Sequence, residues 1–186
     1  VLDALAVQTG GRYVDGTIGG GGHAGMILVA SAPDGWLGGC DRDGMAVEAA
    51  SRRLAAFADR WEIRRGKFES LGDWISMGSV DAVLLDLGVS SPQLDLPERG
   101  FSFAADGPLD MRMDDRQEMT AAELVNTMAE EAMAKLIWEM GGEQKSRRIA
   151  RAIVRERGVR PLGTTAQLAE IVEQVVPRRG ARRHPA

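Results

Sequence analysis

Four consecutive glycines follow the first apolar segment of the chain, and two acidic residues lie close to them. Asp15 precedes the glycines in Val14-Asp-Gly-Thr-Ile-Gly-Gly-Gly-Gly-His23, and Asp41 follows the second apolar segment. Glycines allow positive φ angles and let backbone N–H groups approach a bound molecule closely, at an entropic cost that a plain connection avoids. The pattern therefore predicts a ligand-binding loop between a buried strand and a helix.

The glycine spacing and the two carboxylates narrow the chemistry of that ligand. Gly20, Gly22 and Gly25 satisfy the G-x-G-x-x-G spacing, and a carboxylate at Asp41 can accept hydrogen bonds from ribose hydroxyls. A P-loop is excluded because no Gly-Lys-Ser/Thr follows the glycines. Asp15 would face a pyrophosphate, so it favours a cationic, phosphate-free molecule such as S-adenosylmethionine over NAD. The residues favour a methyl donor and leave a dinucleotide open.

A polar loop follows the fourth apolar segment and carries a second candidate site. It runs Leu85-Asp-Leu-Gly-Val-Ser-Ser-Pro-Gln-Leu-Asp95. In an open parallel sheet, ligands bind at the carboxyl ends of the strands, so this loop should face the loop at Asp15. Its acidic, hydroxyl and amide side chains suit holding a planar polar substrate. A structural role, in which Asp86 caps a backbone turn, stays open.

The first hundred residues alternate short apolar runs with helical patterns, which is typical of a parallel sheet covered by helices. The fourth run is apolar enough to predict a strand that is buried on both faces. The predicted fold class is α/β, with a Rossmann-like, doubly wound sheet. The predicted strands are Arg12–Asp15, Trp36–Cys40, Trp61–Arg65 and Val80–Leu87, and the predicted helices are His23–Ala32 and Met45–Phe57.

Helical patterns follow one another in the rest of the chain, and no further strand is predicted. Thr120-Ala-Ala-Glu123 has the spacing of a capping box, and Lys145–Arg157 places isoleucines on one face and arginines around the rest. Thr165 is the predicted cap of a last helix. We therefore predict a boundary near residue 104, with a sheet domain at 1–104 and a helical, arginine-rich domain at 105–186.

Charge is divided unevenly along the chain. The net charge is −4, but residues 1–143 carry −12 and residues 144–186 carry +8. Arginine supplies 20 of the 23 basic residues, and its guanidinium suits bidentate contact with phosphates. We therefore predict nucleic-acid contact through the basic C-terminal quarter. The candidate phosphate contacts are Arg147, Arg148, Arg151, Arg155, Arg178, Arg179, Arg182 and Arg183.

Composition excludes several other classes of protein. With 44% apolar and 27% charged residues among 186, the chain has a globular composition. Its single cysteine, Cys40, allows no internal disulfide and argues against a zinc or iron–sulfur site, so we expect no metal. No uncharged apolar run approaches the roughly 20 residues of a membrane span, so we expect a cytoplasmic protein without membrane contact.

Six motifs, taken together, identify a family. They are Asp15-Gly-Thr-Ile-Gly-Gly-Gly-Gly-His23, Asp41-Arg-Asp43, Leu85–Asp95, Pro97-Glu-Arg-Gly-Phe-Ser-Phe103, Asp106-Gly-Pro-Leu-Asp-Met-Arg-Met-Asp114 and Arg147-Arg-Ile-Ala-Arg-Ala-Ile153. In these motifs the chain resembles the bacterial 16S ribosomal RNA (cytosine-N4)-methyltransferase family over nearly its whole length. Two departures are small: Ile18 stands where an aromatic residue is more usual, and Met140-Gly-Gly-Glu-Gln-Lys145 replaces a Tyr-Gly-Glu-Glu-Arg-like run.

The resemblance implies a methyltransferase fold with an inserted helical domain and S-adenosylmethionine as methyl donor. The residues alone agree on the glycine loop and on Asp41, but they do not select Phe68 or Gln93. A histidine at a helix N-terminus is disfavoured in its protonated form, so His23 is expected to contact the donor without transferring a proton. By matching position, the resemblance implies that Gly21, Gly22 and His23 contact the donor, Asp41 holds its ribose, Phe68 lies near its adenine, and Asp86 and Gln93 complete the pocket.

The predicted reaction, which the resemblance implies, is methylation of the exocyclic N4 of a cytidine in 16S ribosomal RNA, free or within the small ribosomal subunit. Asp86 is the candidate catalytic residue, because a carboxylate can take the surplus proton of that amino group. Two alternatives are an NAD-dependent oxidoreductase and a non-catalytic RNA-binding module with a vestigial cofactor pocket. Four strands are too few for a complete sheet of this kind and family members are longer, so we expect a fragment that need not be active alone. The oligomeric state, a homodimer included, stays open.

Overall fold

The computed structural model describes residues 1–176, which form two compact units. The first unit holds Val1–Gly88 together with the short segment Met113–Asp115, and the second holds Val89–Arg112 and the chain from Arg116 onward. The chain passes from the first unit to the second between Gly88 and Val89, which is earlier than the boundary predicted near residue 104. That residues 1–104 form the donor-binding domain stays a prediction. Four of the candidate phosphate contacts lie outside the described residues, namely Arg178, Arg179, Arg182 and Arg183.

A parallel sheet of four strands forms the centre of the first unit. The strands are β1 (Arg12–Asp15), β2 (Trp36–Asp41), β3 (Trp61–Arg65) and β4 (Ala82–Leu84). They lie in the order β3-β2-β1-β4, and every neighbouring pair is parallel. The chain thus winds outward from β1 to β3 and returns to β4 on the other side of β1, which makes the β1–β4 junction the switch point of the sheet. The predicted doubly wound, Rossmann-like sheet is confirmed.

Helices of the first unit cover this sheet with apolar side chains. Ile27 and Leu28 lie in α2 and Leu54 in α3, and all three are fully buried with Tyr13 of β1 and Leu37 of β2. Burial of such side chains contributes about 1.5–3 kcal/mol each to the folding free energy. The helices are α1 (Leu2–Leu5), α2 (Gly22–Ala30) and α3 (Gly44–Leu54), and 3-10 helices span Ala55–Arg60 and Phe68–Asp73.

The fourth strand is shorter and more exposed than its apolar sequence predicts. Only Ala82–Leu84 forms β4, within the predicted Val80–Leu87. One face of β4 is poorly covered, since Val83 is 52% exposed, and Leu87 beyond the strand is 68% exposed. The prediction of a strand buried on both faces is therefore wrong for the described residues. An apolar run indicates a strand, but the neighbours of the strand decide which of its faces are covered.

The described part of the second unit holds five helices, and the last four of them supply buried residues to a separate core. In the part of the chain that the structure describes, no strand follows β4, as predicted, and the isolated bridge pairs Pro108 with Thr164. No helix of residues 1–176 is both long and apolar enough to cross a membrane. The helices are α4 (Ser91–Asp95), α5 (Ala121–Thr127), α6 (Glu130–Gly141), α7 (Ser146–Arg157) and α8 (Thr165–Val175), and the core includes Leu109, Met133, Ile149, Ile153, Leu162 and Ile171.

The cap of the last helix lies one residue earlier than predicted. Thr164 precedes α8 and forms a capping box with Gln167, whose backbone N–H donates to Thr164 Oγ1 at 3.4 Å. Thr165 is buried instead, and its Oγ1 accepts a hydrogen bond from the backbone N–H of Gly107 at 3.2 Å. The sequence offers two adjacent threonines, and packing against the loop at Gly107 decides between them.

Thr120 caps α5 as predicted and gives a test of this local structure. The backbone N–H of Glu123 donates to Thr120 Oγ1 at 3.1 Å, and the N–H of Thr120 donates to Glu123 Oε2 at 2.8 Å. Thr120→Ala removes the acceptor and should lower the free energy of unfolding by about 1 kcal/mol, measured by urea denaturation. Thr120→Ser should preserve stability, and Thr127→Ala on the same helix is the control. Equal stabilities of the two alanine variants would contradict the capping role.

Candidate functional site

The glycine turn lies at the carboxyl edge of the sheet, between β1 and α2. Gly19 and Gly21 have positive φ angles of 50° and 76°. A side chain at Gly21 would meet Cα of Ala50 at 3.1 Å, so the turn packs directly on α3. Gly20 is exposed, and a side chain there would have no neighbour within 4 Å. The glycines thus let one side of the turn pack closely and leave backbone accessible on the other.

Asp41 fastens this turn to the end of β2. Its Oδ2 accepts a hydrogen bond from the backbone N–H of Gly19 at 3.0 Å, and its Oδ1 accepts from the N–H of Asp43 at 3.0 Å. Beside it, the N–H of Ile18 donates to the carbonyl oxygen of Cys40 at 3.0 Å. Carboxylate oxygens have about two acceptor positions each, and Asp41 is half-buried. The side chain that holds the turn therefore has acceptor capacity left for a ligand.

Asp15 lies beneath the turn, where it is almost completely buried. Its side chain is 1% exposed, and its Oδ1 accepts hydrogen bonds from the backbone N–H and the hydroxyl of Thr17, at 3.1 and 3.4 Å. Burial raises the pKa of this carboxyl above its ordinary range, although the bonds from Thr17 and the nearby His23 oppose the rise. The expectation that Asp15 faces the ligand directly is corrected, because its carboxyl is buried beneath the turn.

The loop after β4 is joined to the same turn. The backbone N–H of Gly16 donates to the carbonyl oxygen of Leu84 at 2.9 Å, and the N–H of Asp86 donates to Thr17 Oγ1 at 2.7 Å. The Asp86 carboxylate is exposed, and within residues 1–176 it makes no hydrogen bond or ion pair. The structure therefore presents an accessible carboxylate beside the turn, at the switch point of the sheet.

Phe68 packs against the start of the turn. It begins the 3-10 helix after β3 and is half-buried. A side chain at Gly16 would lie 3.0 Å from Cβ of Phe68 and 2.5 Å from Cδ2 of Leu85, so it would fit only if the Leu85 side chain moved. The ring thus belongs to the same edge of the sheet as the turn. The contact of Phe68 with adenine stays a prediction.

Gln93 belongs to the second unit, where it caps a short helix. It is 5% exposed, and its Oε1 accepts a hydrogen bond from the backbone N–H of Ser90 at 3.0 Å, which completes the capping box of α4. Ser-x-x-Gln is itself a capping signal, so this role could be predicted from the sequence. The place of Gln93 in the donor pocket stays a prediction.

Two residues at the turn are not among the site residues predicted from the sequence. Thr17 bonds to both Asp15 and Asp86, and a hydroxyl two residues after an aspartate is a recognisable local turn signal. Arg53 of α3 lies beside the first turn of α2, because a side chain at Gly22 would be 3.4 Å from Arg53 Nη1. No local pattern identifies Arg53, since the contact joins two helices that are distant in sequence.

Six of the seven predicted donor-binding residues lie in the first unit. The parallel sheet, with its switch point between β1 and β4 and a glycine turn at that point, defines a Rossmann-like ligand-binding domain. Its members differ in ligand, so the fold alone does not choose among them. The six residues are Gly21, Gly22, His23, Asp41, Phe68 and Asp86.

Within this class, the chain belongs to the MraW methylase family, whose model it matches over residues 1–186. It is 52% identical over 180 residues to a ribosomal RNA small subunit methyltransferase H of Syntrophotalea carbinolica, across 95% of this chain and 57% of that protein. It is 50% identical over 190 residues to the protein of the same name in Symbiobacterium thermophilum, across 100% of this chain and 60% of that protein. A solved structure of a putative rRNA-methylase from Clostridium thermocellum matches with 23% identity and a TM-score of 0.39, over 41% of this chain and 44% of that one. The predicted family is confirmed, and the chain spans about three fifths of the length of these curated relatives.

The buried carboxyl of Asp15 gives a pH-dependent prediction. Because burial raises the pKa of Asp15, the folded state favours the protonated carboxyl. The contribution of this carboxyl to the folding stability is therefore lost as pH rises from the ordinary value of 3.8 through the folded pKa. We therefore expect Asp15→Asn to unfold at higher urea concentration than the unmodified chain at neutral pH. The difference should shrink as pH falls through the folded pKa towards 3.8, and little of it should remain below about 4.

The control for this experiment is Asp59→Asn, which changes an exposed carboxyl remote from the turn. It should alter stability little at any pH between about 4 and 8. A stability gain of Asp15→Asn that is constant across this range would contradict the raised pKa.

Proposed function

We propose that this chain carries the donor-binding core of an S-adenosylmethionine-dependent RNA methyltransferase. The observation that supports the proposal most directly is the glycine turn held by Asp41, in a chain of the MraW methylase family. The charged groups around this turn suit a molecule that has cationic groups and one carboxylate. Asp41 would hold the ribose hydroxyls, and the buried charge of Asp15 would favour the cationic sulfur. The backbone N–H groups of the exposed Gly20 and Gly22 and the guanidinium of Arg53 would hold the carboxylate of the donor.

The proposed acceptor is the exocyclic N4 of a cytidine in 16S ribosomal RNA, methylated in the cytoplasm either free or within the small subunit. Two observations support an RNA acceptor. The relatives at about 50% identity are named ribosomal RNA small subunit methyltransferase H. In addition, α7 carries five arginines and one acidic residue in twelve positions. The choice of N4 comes from the resemblance in the motifs at the turn and at Leu85–Asp95.

The chemistry requires an amino nitrogen with a delocalised lone pair to become a nucleophile. S-adenosylmethionine supplies a methyl group on a sulfonium sulfur, which leaves as a thioether when the nitrogen takes the methyl. Asp86 would accept a hydrogen bond from the N4 amino group, which localises the lone pair, and would then take up the surplus proton. Alignment of the two reactants supplies most of the acceleration, and the cytosine must leave its stack to reach the carboxylate.

Donor binding by this chain is the first test of the proposal. Asp41→Ala removes a charged acceptor and should weaken the binding of S-adenosylmethionine by about 1–3 kcal/mol, measured by titration calorimetry. Asp59→Ala is the matched control and should leave the dissociation constant unchanged. Binding of NAD in place of S-adenosylmethionine would instead favour an oxidoreductase, and an unchanged dissociation constant of Asp41→Ala would remove the ribose role.

Methyl transfer is the second test, in a protein that has the full length of the curated relatives. Asp86→Asn keeps the shape of the side chain but cannot accept the proton, so kcat should fall by roughly 10²-fold with little change in donor affinity. Transfer of labelled methyl to small-subunit RNA measures kcat, and Asp59→Asn is the control. Equal losses in kcat and donor affinity would make Asp86 a donor ligand only. RNA binding without any methyl transfer in the unmodified protein would favour the non-catalytic module.

A further inference from the structure

A groove of about 770 Å³ runs between α6 and α7 in the second unit. Its volume lies within the roughly 300–1,000 Å³ range of sites for small molecules and cofactors. We call it the α6–α7 groove. The side chains that matter to its chemistry are Glu130, Glu131, Lys135 and Trp138 from α6, and Arg147 and Arg151 from α7.

Helical spacing explains why these side chains share one surface. On α6, residues 130, 134 and 138 are four apart and therefore lie on one face, and Arg147 and Arg151 are four apart on α7. On α7 the opposite face is in the core, where Ile149 and Ile153 are buried, and on α6 the buried Ala134 both lines the groove and belongs to the core. The groove is thus the outward side of two helices that are fixed by a well-packed inner side.

Trp138 differs from the other three tryptophans of the chain. The rings of Trp36 and Trp74 are each covered by an arginine guanidinium, at 4.3 and 4.5 Å from the ring centroid. The indole N–H of Trp61 donates to the carbonyl oxygen of Leu54 at 2.8 Å. Trp138 is 53% exposed, and its indole has no hydrogen bond or cation contact with any residue of 1–176. A large aromatic face is therefore presented to whatever enters the groove.

Basic groups stand beside this aromatic face. Arg147 is exposed and makes no hydrogen bond or ion pair within the described residues, so its guanidinium is available. Arg151 contacts Glu130 at 3.5 Å, in an exposed pair of little strength. Glu130 and Glu131 lie in the first turn of α6, where the helix dipole stabilises negative charge. The acidic side chains thus belong to one end of the groove, and free positive charge remains at Arg147.

We propose that the α6–α7 groove binds one nucleotide of single-stranded RNA, with the base stacked on Trp138 and the adjoining phosphate held by Arg147. An exposed indole is a stacking platform for any base, and a guanidinium makes bidentate contact with phosphate. A base within a duplex has both faces covered by its neighbours, so the groove selects unpaired RNA. This inference rests on the proposed function, because it assigns the groove to the RNA substrate of that reaction.

Fluorescence anisotropy with a labelled single-stranded RNA of about 12 nucleotides tests the stacking role. Trp138→Ala should weaken binding about tenfold, and Trp138→Phe, which keeps an aromatic face, should stay within about threefold of the unmodified chain. Met140→Ala is the control, since Met140 is 81% exposed on the same helix and does not line the groove. A blunt duplex of equal length should bind more weakly and should not discriminate between the variants.

A second measurement tests the phosphate contact with a charge-matched pair of variants. Arg147→Ala and Arg148→Ala each remove one exposed positive charge from α7, but only Arg147 lines the groove. Arg147→Ala should lose more affinity than Arg148→Ala and should reduce the salt slope of binding by about 1. Because stacking and phosphate contact serve the same nucleotide, the losses in Trp138→Ala and Arg147→Ala should not be additive in the double variant.

Intrinsic fluorescence separates stacking from a folding defect, because Trp138→Phe is expected to keep its RNA affinity. Stacking should quench the emission of Trp138, so Trp138→Phe should abolish RNA-induced quenching while Trp74→Phe retains it. Unchanged RNA affinity of Trp138→Ala, equal affinity for duplex and single strand, or no RNA binding by the unmodified chain would each overturn the inference. So would self-association that is lost in Trp138→Ala without loss of RNA binding, because the groove would then be a surface for a second copy.

Donor binding separates this inference from the proposed function. Titration of S-adenosylmethionine should give the same dissociation constant for Trp138→Ala as for the unmodified chain. If the donor binds and the RNA measurements fail, the groove assignment is wrong and the proposed function stands. If the donor does not bind, the proposed function fails, whatever the groove does.

Discussion

The first unit depends on how the backbone after β1 finds its hydrogen-bond partners. The chain leaves a buried strand and turns through four glycines, and buried N–H groups in such a segment need acceptors. Both neighbouring strands supply them, β2 through the Cys40 carbonyl and the Asp41 carboxylate, and β4 through the Leu84 carbonyl. Thr17 adds a link by accepting from the N–H of Asp86. The bonds that fix the turn therefore also place the carboxylates proposed for donor binding and proton transfer.

This arrangement buries the carboxyl group of Asp15 beneath the turn, which is unfavourable for its charged form. Asp15 satisfies the backbone of Thr17, but its burial penalises the charged form and raises its pKa. An apolar residue would leave that N–H without an acceptor, which is also unfavourable. In a low-dielectric site the charge acts over a longer distance than it would in water. A turn with exposed backbone at Gly20 and Gly22, over a buried acid, suits a ligand that carries charges of both signs.

The second unit buries its own apolar core and uses its outward helical faces differently. Its arginines are concentrated on α7, whose inner face supplies Ile149 and Ile153 to the core. Trp138 is exposed on α6, although a tryptophan can bury a large area. The other tryptophans show what a structural role requires, namely a covering cation or a satisfied indole N–H. The proposed donor contacts, apart from Gln93, and the proposed RNA contact thus lie in separate units, each with its own core.

The sequence by itself determined the four strands, the glycine turn, the cap at Thr120 and the family, because these depend on residue order, helical or strand periodicity and local turn chemistry. Only the tertiary structure decided that Asp15 lies beneath the turn, that Thr164 caps α8, and that one face of β4 is exposed. It also brought Arg53 to α2 and left the indole of Trp138 open. Each of these depends on contacts between segments that are far apart in the chain, and a local pattern carries no information about them.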